Sequence, residues 1–138
     1  MKKVLFVCHG NICRSPMAEY LFKYMTKDLD YYCESRAVSL EEIGNDMHPK
    51  SQRTLTAHGI PYGSHSAKRI TEEDYREYDV IFVMDDYNLS YINRLLKDDD
   101  HKIRKLCKRD VADPWYTGDY EQAYQDIKRG IEDFLKMD

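Results

Sequence analysis

The sequence has no apolar run near the roughly 20 residues that a membrane-spanning helix needs. Its first apolar stretch, residues 4–7, follows two lysines but is too short for the core of a signal peptide. An excess of basic residues is also missing: the formal net charge is −4, whereas nucleic-acid-binding domains usually carry a basic surface. We therefore expect a cytoplasmic protein that binds neither a membrane nor nucleic acid.

Cysteine is scarce and irregularly spaced. The four cysteines, Cys8, Cys13, Cys33 and Cys107, are too few for a disulfide scaffold and include no Cys-x-x-Cys pair of the kind found in structural zinc sites. We expect Cys33 and Cys107 to lie in strands and pack in the core, and we expect no bound metal.

Repeats, low-complexity tracts and flexible linkers are absent as well, and the 4 prolines are scattered singly. The chain has 138 residues, of which 42% are hydrophobic, and this is enough for one compact domain with a substantial core. These features predict a single domain spanning residues 1–138.

Short apolar runs alternate with amphipathic segments along the chain. Strands are predicted at residues 4–7, 31–38, 79–84 and 102–107. Helices are predicted at residues 15–29, 48–58, 71–78, 86–96 and 119–137, with Ser15 as the N-cap of the first helix and Pro16 at its first helical position. This alternation is typical of an α/β fold, here a doubly wound, four-stranded parallel sheet in the order 2-1-3-4 with helices on both faces.

The loop after the first strand is the strongest candidate for a binding site. In doubly wound sheets, ligands bind beside the point where the strand order reverses, and the segment that leaves this point is CHGNICRS, residues 8–15. Backbone N–H groups in a turn before a helix can be directed at an oxyanion. Gly10 permits a sharp turn, Asn11 tolerates a left-handed backbone, and the planar Arg14 side chain matches two phosphate oxygens. The predicted phosphate-binding residues are His9, Gly10, Asn11, Ile12, Cys13, Arg14 and Ser15.

A cysteine at the base of this loop indicates a reaction in addition to binding. Amide dipoles, the helix N-terminus and Arg14 all favour the thiolate form of Cys8. A thiolate that faces the phosphorus of a bound ester is placed for in-line attack, which gives a phosphocysteine intermediate. The alternative is that Cys8 and Cys13 are small buried hydrophobic residues, as cysteines commonly are.

The segment VCHGNICRSPMAE, residues 7–19, strongly resembles the pattern V-C-x-G-N-x-C-R-S-P-x-A-E of the low-molecular-weight protein tyrosine phosphatases. The similarity extends to HGIP at residues 58–61, MDDYNL at residues 84–89 and the late Asp113-Pro114 pair, so it covers essentially the whole chain. It implies hydrolysis of phosphotyrosine and aryl phosphate monoesters, with tyrosine-phosphorylated proteins or peptides as partners. It also implies inhibition by phosphate and other oxyanions and a reaction without cofactors. We expect a monomer.

The resemblance also implies roles for residues outside the loop. Asp113 is carried over as the general acid and then the general base, although an ordinary Asp-Pro turn is the alternative. Asn11, Ser15, Ser35 and His65 match positions that brace the loop through hydrogen bonds, and for His65 a solvated loop histidine is an equal alternative. The Ser15 hydroxyl is further expected to assist the departure of the Cys8 sulfur from phosphorus.

Three residues are predicted to form the wall of a deep pocket that prefers phosphotyrosine to the shorter phosphoserine: Glu41, Trp115 and Tyr116. Glu41 stands where many relatives have an aromatic residue, and His9 stands where many have an apolar one, so both make the rim more polar. The resemblance further implies that Cys13 forms a reversible disulfide with Cys8 under peroxide, with silent packing as the alternative. Asp85, after the third strand, is left without a role.

Other functions on the same scaffold are weaker. An arsenate reductase would need two further cysteines after the third strand, and residues 85–105 contain none. A protein arginine phosphatase has threonine at the position of Ile12. A phosphopeptide-binding module without turnover would lack Cys8 or Asp113, and a flavodoxin-like carrier would have a loop rich in Ser and Thr without a nucleophile.

Overall fold

The computed structural model describes residues 1–138 and confirms the predicted α/β architecture. The four parallel strands form one sheet in the order β2-β1-β3-β4. The strands are β1 (Lys2–Cys8), β2 (Tyr31–Ala37), β3 (Val80–Val83) and β4 (Ile103–Lys105). The helices are α1 (Arg14–Met25), α2 (Pro49–Ala57), α3 (Glu72–Glu77), α4 (Asp86–Leu95), α5 (Pro114–Thr117) and α6 (Tyr120–Met137).

The central strand β1 is covered on both faces, and this explains its continuous apolar run. Val4 and Phe6 point to the face covered by α1 and α6, where the Phe6 ring lies 5.4 Å from that of Phe22. Leu5 and Val7 point to the opposite face, where α3 and α4 supply the packing partners. The sheet therefore separates two hydrophobic cores, and the loops at its carboxyl edge are anchored from both sides.

Two local predictions were wrong. The helix α1 begins at Arg14, and its N-cap is Cys13 without a side-chain hydrogen bond, so Ser15 lies inside the first turn instead of capping it. The Ser15 hydroxyl is engaged elsewhere, 3.0 Å from the Cys8 sulfur. The strand β4 ends at Lys105, so Cys107 lies outside it and donates a hydrogen bond from Sγ to the carbonyl of Asp126 in α6.

The long helix α6 runs from the carboxyl edge of the sheet to the amino edge. At its end, the Asp138 carboxylate accepts hydrogen bonds from Lys2 and Tyr31, at the starts of β1 and β2. At its beginning, the Tyr120 hydroxyl lies 3.7 Å from the sulfur of Cys13 in the loop after β1. None of the helices combines the length and the apolar character needed to cross a membrane.

The contact between α6 and the segment after β4 depends on Gly130. A Cβ atom at this buried position would lie 2.7 Å from Leu106 Cγ and 2.9 Å from Cys107 Sγ. We expect Gly130→Ala to lower the free energy of unfolding by about 1–2 kcal/mol, because overpacking outweighs the better helix propensity of alanine. Urea denaturation followed by circular dichroism measures the change.

The matched control is Gly63→Ala, because a Cβ at this exposed position meets no atom within 4 Å. We expect this variant to unfold at the native urea midpoint or slightly above it. Equal stability of the two variants would contradict the assigned packing of Gly130.

Candidate active site

The loop of residues 8–15 connects β1 to α1 at the carboxyl edge of the sheet. Asn11 has a φ of 61°, in the left-handed region that asparagine tolerates better than most residues. Gly10 does not have a positive φ; its constraint is a close approach, because a Cβ there would lie 3.1 Å from Glu42 Cγ. The neighbouring segment of residues 39–44 thus packs directly on the loop.

Asn11 is fully buried and forms the centre of a hydrogen-bond network. Its side-chain amide donates to the hydroxyls of Ser15, at 2.8 Å, and Ser35, at 2.9 Å. Its side-chain oxygen accepts from the backbone of Lys68 at 3.2 Å, and its carbonyl lies 2.7 Å from His65 Nε2. The structure therefore brings together all the residues that the resemblance assigns to the supporting network.

Glu19 extends this network and was missed by the sequence analysis. It is a buried residue of α1, and its carboxylate accepts a hydrogen bond from Ser35 at 2.6 Å and pairs with Lys23 at 2.6 Å. It lies one helical turn after Ser15, at a spacing of four residues that places both side chains on the same face. This spacing within the loop motif is the signal that could have identified it.

The Cys8 side chain lies at the base of the loop. Its sulfur is 3.0 Å from Ser15 Oγ and accepts a hydrogen bond from the Ser15 backbone N–H at 3.4 Å. The residue is only 3% exposed, yet it lines the pocket described below. The Cys8 sulfur thus contacts both the backbone N–H and the hydroxyl of Ser15, and it faces one cavity.

The side chain of Arg14 is only 2% exposed, and three partners hold its guanidinium group in place. Its Nη1 atom donates to Asp85 at 2.7 Å and to the carbonyl of Val111 at 2.7 Å, whereas Nη2 has one longer contact of 3.4 Å with Asp113. Burial alone would lower the pKa of Arg14, but the Cys8 sulfur, Asp85 and Asp113 outweigh it and raise the pKa. The guanidinium group therefore stays charged beside the cavity.

Asp85 is a second residue to which the sequence analysis gave no role. One of its carboxylate oxygens binds Arg14, and the other caps α4 by accepting from the backbone of Asn88 at 2.7 Å. The same side chain thus orients the arginine and starts the helix that follows β3. Its position directly after a buried strand was visible in the sequence, but its partner was not.

The loop and the segments opposite it enclose a cavity of about 140 Å³. From the loop, the lining residues are Cys8, His9, Gly10, Ile12, Cys13 and Arg14. From other segments, they are Glu41, Glu42, Asp113, Trp115 and Tyr116. All the predicted wall residues therefore lie around one cavity, and Glu42 joins them.

The short helix α5 sets one side of the cavity mouth. Asp113 precedes it and accepts a hydrogen bond from the backbone of Trp115 at 3.0 Å, and Pro114 occupies its first turn. Trp115 and Tyr116 are largely exposed, and the edge of the Trp115 ring meets the ring of His48 at a centroid distance of 5.8 Å. Two aromatic rings thus stand at the entrance, beside the carboxylate that contacts Arg14.

Cys13 faces away from solvent at the end of the loop. Its sulfur lies 3.7 Å from the Tyr120 hydroxyl, and burial raises the pKa of its thiol to about 12. Burial also raises the pKa of Cys107 to about 11, and that of Cys33. All four cysteines are free thiols.

Comparison with known proteins shows which family has this sequence pattern and this fold. The family model described as low molecular weight phosphotyrosine protein phosphatase matches residues 3–137. The human protein of that name is 39% identical over 98% of this chain and 94% of its own length. A low molecular weight protein tyrosine phosphatase from Streptococcus pyogenes superposes with a TM-score of 0.95 at 40% identity, over 99% of this chain and 93% of that one.

A second similar structure is that of a Drosophila arginine phosphatase, with a TM-score of 0.90 at 31% identity over 99% of this chain and 97% of that one. The scaffold is thus shared by proteins whose names specify different phosphorylated residues. The family model and the relatives nevertheless match nearly the entire chain. The protein is therefore a member of the low molecular weight phosphotyrosine protein phosphatase family.

Proposed function

We propose that this chain, as one domain spanning residues 1–138, hydrolyses phosphotyrosine in proteins and peptides through a covalent intermediate on Cys8. The observation that carries the proposal is the convergence of three groups on one cavity: the Cys8 sulfur, the Arg14 guanidinium group and the Asp113 carboxyl group. They supply the nucleophile, a charge that binds the phosphate and an acid for the leaving group.

In the first step, backbone N–H groups of the loop and the Arg14 guanidinium group bind the phosphate oxygens. The Cys8 sulfur attacks phosphorus in line with the ester bond, and the bond between phosphorus and the phenolic oxygen breaks. Asp113, which borders the same cavity, donates its proton to that oxygen and is itself left as a carboxylate. The products are the substrate with its tyrosine hydroxyl restored and a phosphocysteine on the enzyme.

In the second step, the Asp113 carboxylate accepts a proton from water while the water oxygen attacks phosphorus. The bond between sulfur and phosphorus breaks, and inorganic phosphate is released. The Ser15 hydroxyl, 3.0 Å from the sulfur, donates a hydrogen bond to the departing thiolate. The network around Asn11 holds this hydroxyl in place.

The shape of the cavity supports an aromatic ester as the substrate. Trp115 and Tyr116 stand at the entrance, where they can flank a phenyl ring, and we propose that this pocket is too deep for the shorter phosphoserine. Ile12, where the arginine phosphatases have threonine, also lines the cavity and favours phosphotyrosine over phosphoarginine. We further propose that phosphate and other oxyanions inhibit the protein, and that it acts as a monomer without nucleic acid or membrane partners.

The four free thiols support a reducing compartment, and we place the protein in the cytoplasm. We also propose that Cys13 protects Cys8 from peroxide. Peroxide oxidises the Cys8 thiolate to a sulfenic acid, and the Cys13 sulfur then attacks it, forming a disulfide and releasing water. A thiol reductant returns both cysteines to their reduced state.

Selective alkylation tests the nucleophile. At pH 7 we expect iodoacetate to label Cys8 and to leave Cys13 and Cys107 almost unmodified, because their raised pKa values of about 12 and about 11 keep them protonated. Labelling of Cys107 should rise as the pH approaches 10. Peptide mapping by mass spectrometry measures the sites, with added phosphate as the control that protects Cys8. Equal labelling of Cys8 and Cys107 at pH 7 contradicts the assignment.

Substitutions test the two chemical roles. With EDTA present, we expect Cys8→Ser to lower the kcat for p-nitrophenyl phosphate by about 10⁴-fold or more. We expect Asp113→Asn to lower kcat by about 10²- to 10⁴-fold, with a greater loss for phenyl phosphate, whose poorer leaving group needs the proton more. The control is Asp119→Asn, because Asp119 caps the neighbouring helix α6 in the same way but does not line the cavity.

Three results count against this function. Full activity of Cys8→Ser excludes the phosphocysteine, and an equal loss on both substrates for Asp113→Asn excludes a general acid. A higher kcat/KM for phosphoarginine than for phosphotyrosine would favour the arginine phosphatase alternative.

Peroxide treatment tests the proposed disulfide. We expect native protein inactivated by hydrogen peroxide to recover most of its activity with dithiothreitol, and Cys13→Ser to recover little, because its Cys8 oxidises further to a sulfinic acid. Cys107→Ser is the control, since Cys107 lies outside the cavity and should leave recovery at the native level. Equal recovery of Cys13→Ser and the native protein contradicts the protective role.

A further inference from the structure

The cavity combines a positive base with a negative mouth. Arg14 and the loop amides form the base, whereas two adjacent carboxylates, Glu41 and Glu42, line the mouth. Glu41 is paired only with His9, and Glu42 forms no ion pair, so no lysine or arginine neutralises either carboxylate. The mouth is therefore an acidic surface, and it lies next to the positively charged floor of the cavity.

The Glu41 carboxylate is held in position by His9. Its oxygen lies 2.9 Å from His9 Nε2, and the His9 ring packs near the rings of Tyr87 and Tyr91 on α4, at centroid distances of 6.2 and 6.1 Å. The His9 carbonyl also accepts a hydrogen bond from the backbone of Ser39, which precedes the acidic pair. The histidine thus links the loop, α4 and the acidic segment, and it fixes one wall of the mouth.

Glu42 is positioned independently of His9. Its carboxylate accepts a hydrogen bond from the Asn45 amide at 2.6 Å, and its Cγ atom occupies the space left by the missing side chain of Gly10. Glu42 is therefore held at the rim by contacts that do not involve His9. The side chain of Glu41 is 69% exposed, which leaves it accessible to whatever enters the cavity.

We propose that His9, Glu41 and Glu42 determine substrate specificity, so that phosphotyrosine flanked by lysine or arginine is preferred to phosphotyrosine flanked by aspartate or glutamate. This inference rests on the phosphatase function proposed above. When the phosphate occupies the base of the cavity, the residues on either side of the phosphotyrosine lie at the mouth. There, basic side chains are attracted by the two carboxylates and acidic ones are repelled.

The test compares kcat/KM for three otherwise identical phosphotyrosine peptides that carry lysine, alanine or glutamate on both sides of the phosphotyrosine. At low salt we expect the lysine peptide to exceed the glutamate peptide by roughly tenfold, because each exposed charge pair changes the rate constant by a few-fold. The ratio should fall to about 2 in 0.5 M NaCl, because salt screens exposed charges. This salt dependence requires no variant.

A pair of double variants separates the mouth from the overall charge. We expect Glu41→Gln with Glu42→Gln to reduce the lysine-to-glutamate ratio to about 2. The control is Glu132→Gln with Asp133→Asn, which removes the same charge from two exposed residues of α6, toward its end at the amino edge of the sheet. This control should keep the native ratio.

A native ratio near 1 at low salt overturns the inference, as does a control that lowers the ratio as much as the variant at the mouth. p-Nitrophenyl phosphate, which has no flanking residues, distinguishes this failure from failure of the proposed function. If p-nitrophenyl phosphate is hydrolysed but the three peptides have equal kcat/KM values, the phosphatase function stands and only the proposed specificity fails. If neither it nor any peptide is hydrolysed, the proposed function fails, and the specificity fails with it.

Discussion

The geometry of the site depends on the buried, left-handed backbone of Asn11. This conformation costs about 1–2 kcal/mol for a residue other than glycine, and hydrogen bonds to Ser15, Ser35, Lys68 and His65 offset it. Because these partners come from a helix, a strand and a distant loop, the turn forms only when the surrounding fold is complete. The strain at one residue is thus supported by several elements at the carboxyl edge of the sheet, and the backbone of the loop is fixed before any ligand arrives.

The two cores explain why the loop has so little freedom. β1 contributes alternate side chains to opposite faces, so the loop leaves a strand that is packed on both sides. The loop then enters α1 directly, and the side chains of its first turn are buried. Rigid elements on either side position catalytic groups more accurately than a free surface loop does. The shape and charge of such a site are set before a ligand enters, so no closing movement of the loop is needed.

Much of the fold and the centre of the site could be predicted because their signals are local. The alternation of apolar runs and amphipathic segments predicted a parallel α/β sheet, whose flavodoxin-like order is confirmed, and CHGNICRS predicted the turn that lines the cavity. The role of Asp85 depends instead on Arg14, which lies 71 residues away in the sequence, and no local pattern reveals this contact. The spacing of Glu19 from Ser15 was visible in the sequence, but its hydrogen bond with Ser35 in β2 was not. The wrong N-cap at Ser15 has the same origin, since its hydroxyl contacts Cys8 instead of the helix start. The helix α5 was missed because four residues are too few to show a period.

Asp85 contacts both Arg14 and the first turn of α4, so a change in that helix can affect the site. One carboxylate holds the arginine and also begins α4, which packs on the opposite face of the sheet from α1 and α6. Fraying of the first turn of α4 would therefore release one oxygen of Asp85 and loosen the guanidinium group at the cavity. Substitutions in the first turn of α4 can thus change how firmly Arg14 is held while every residue that lines the cavity stays the same.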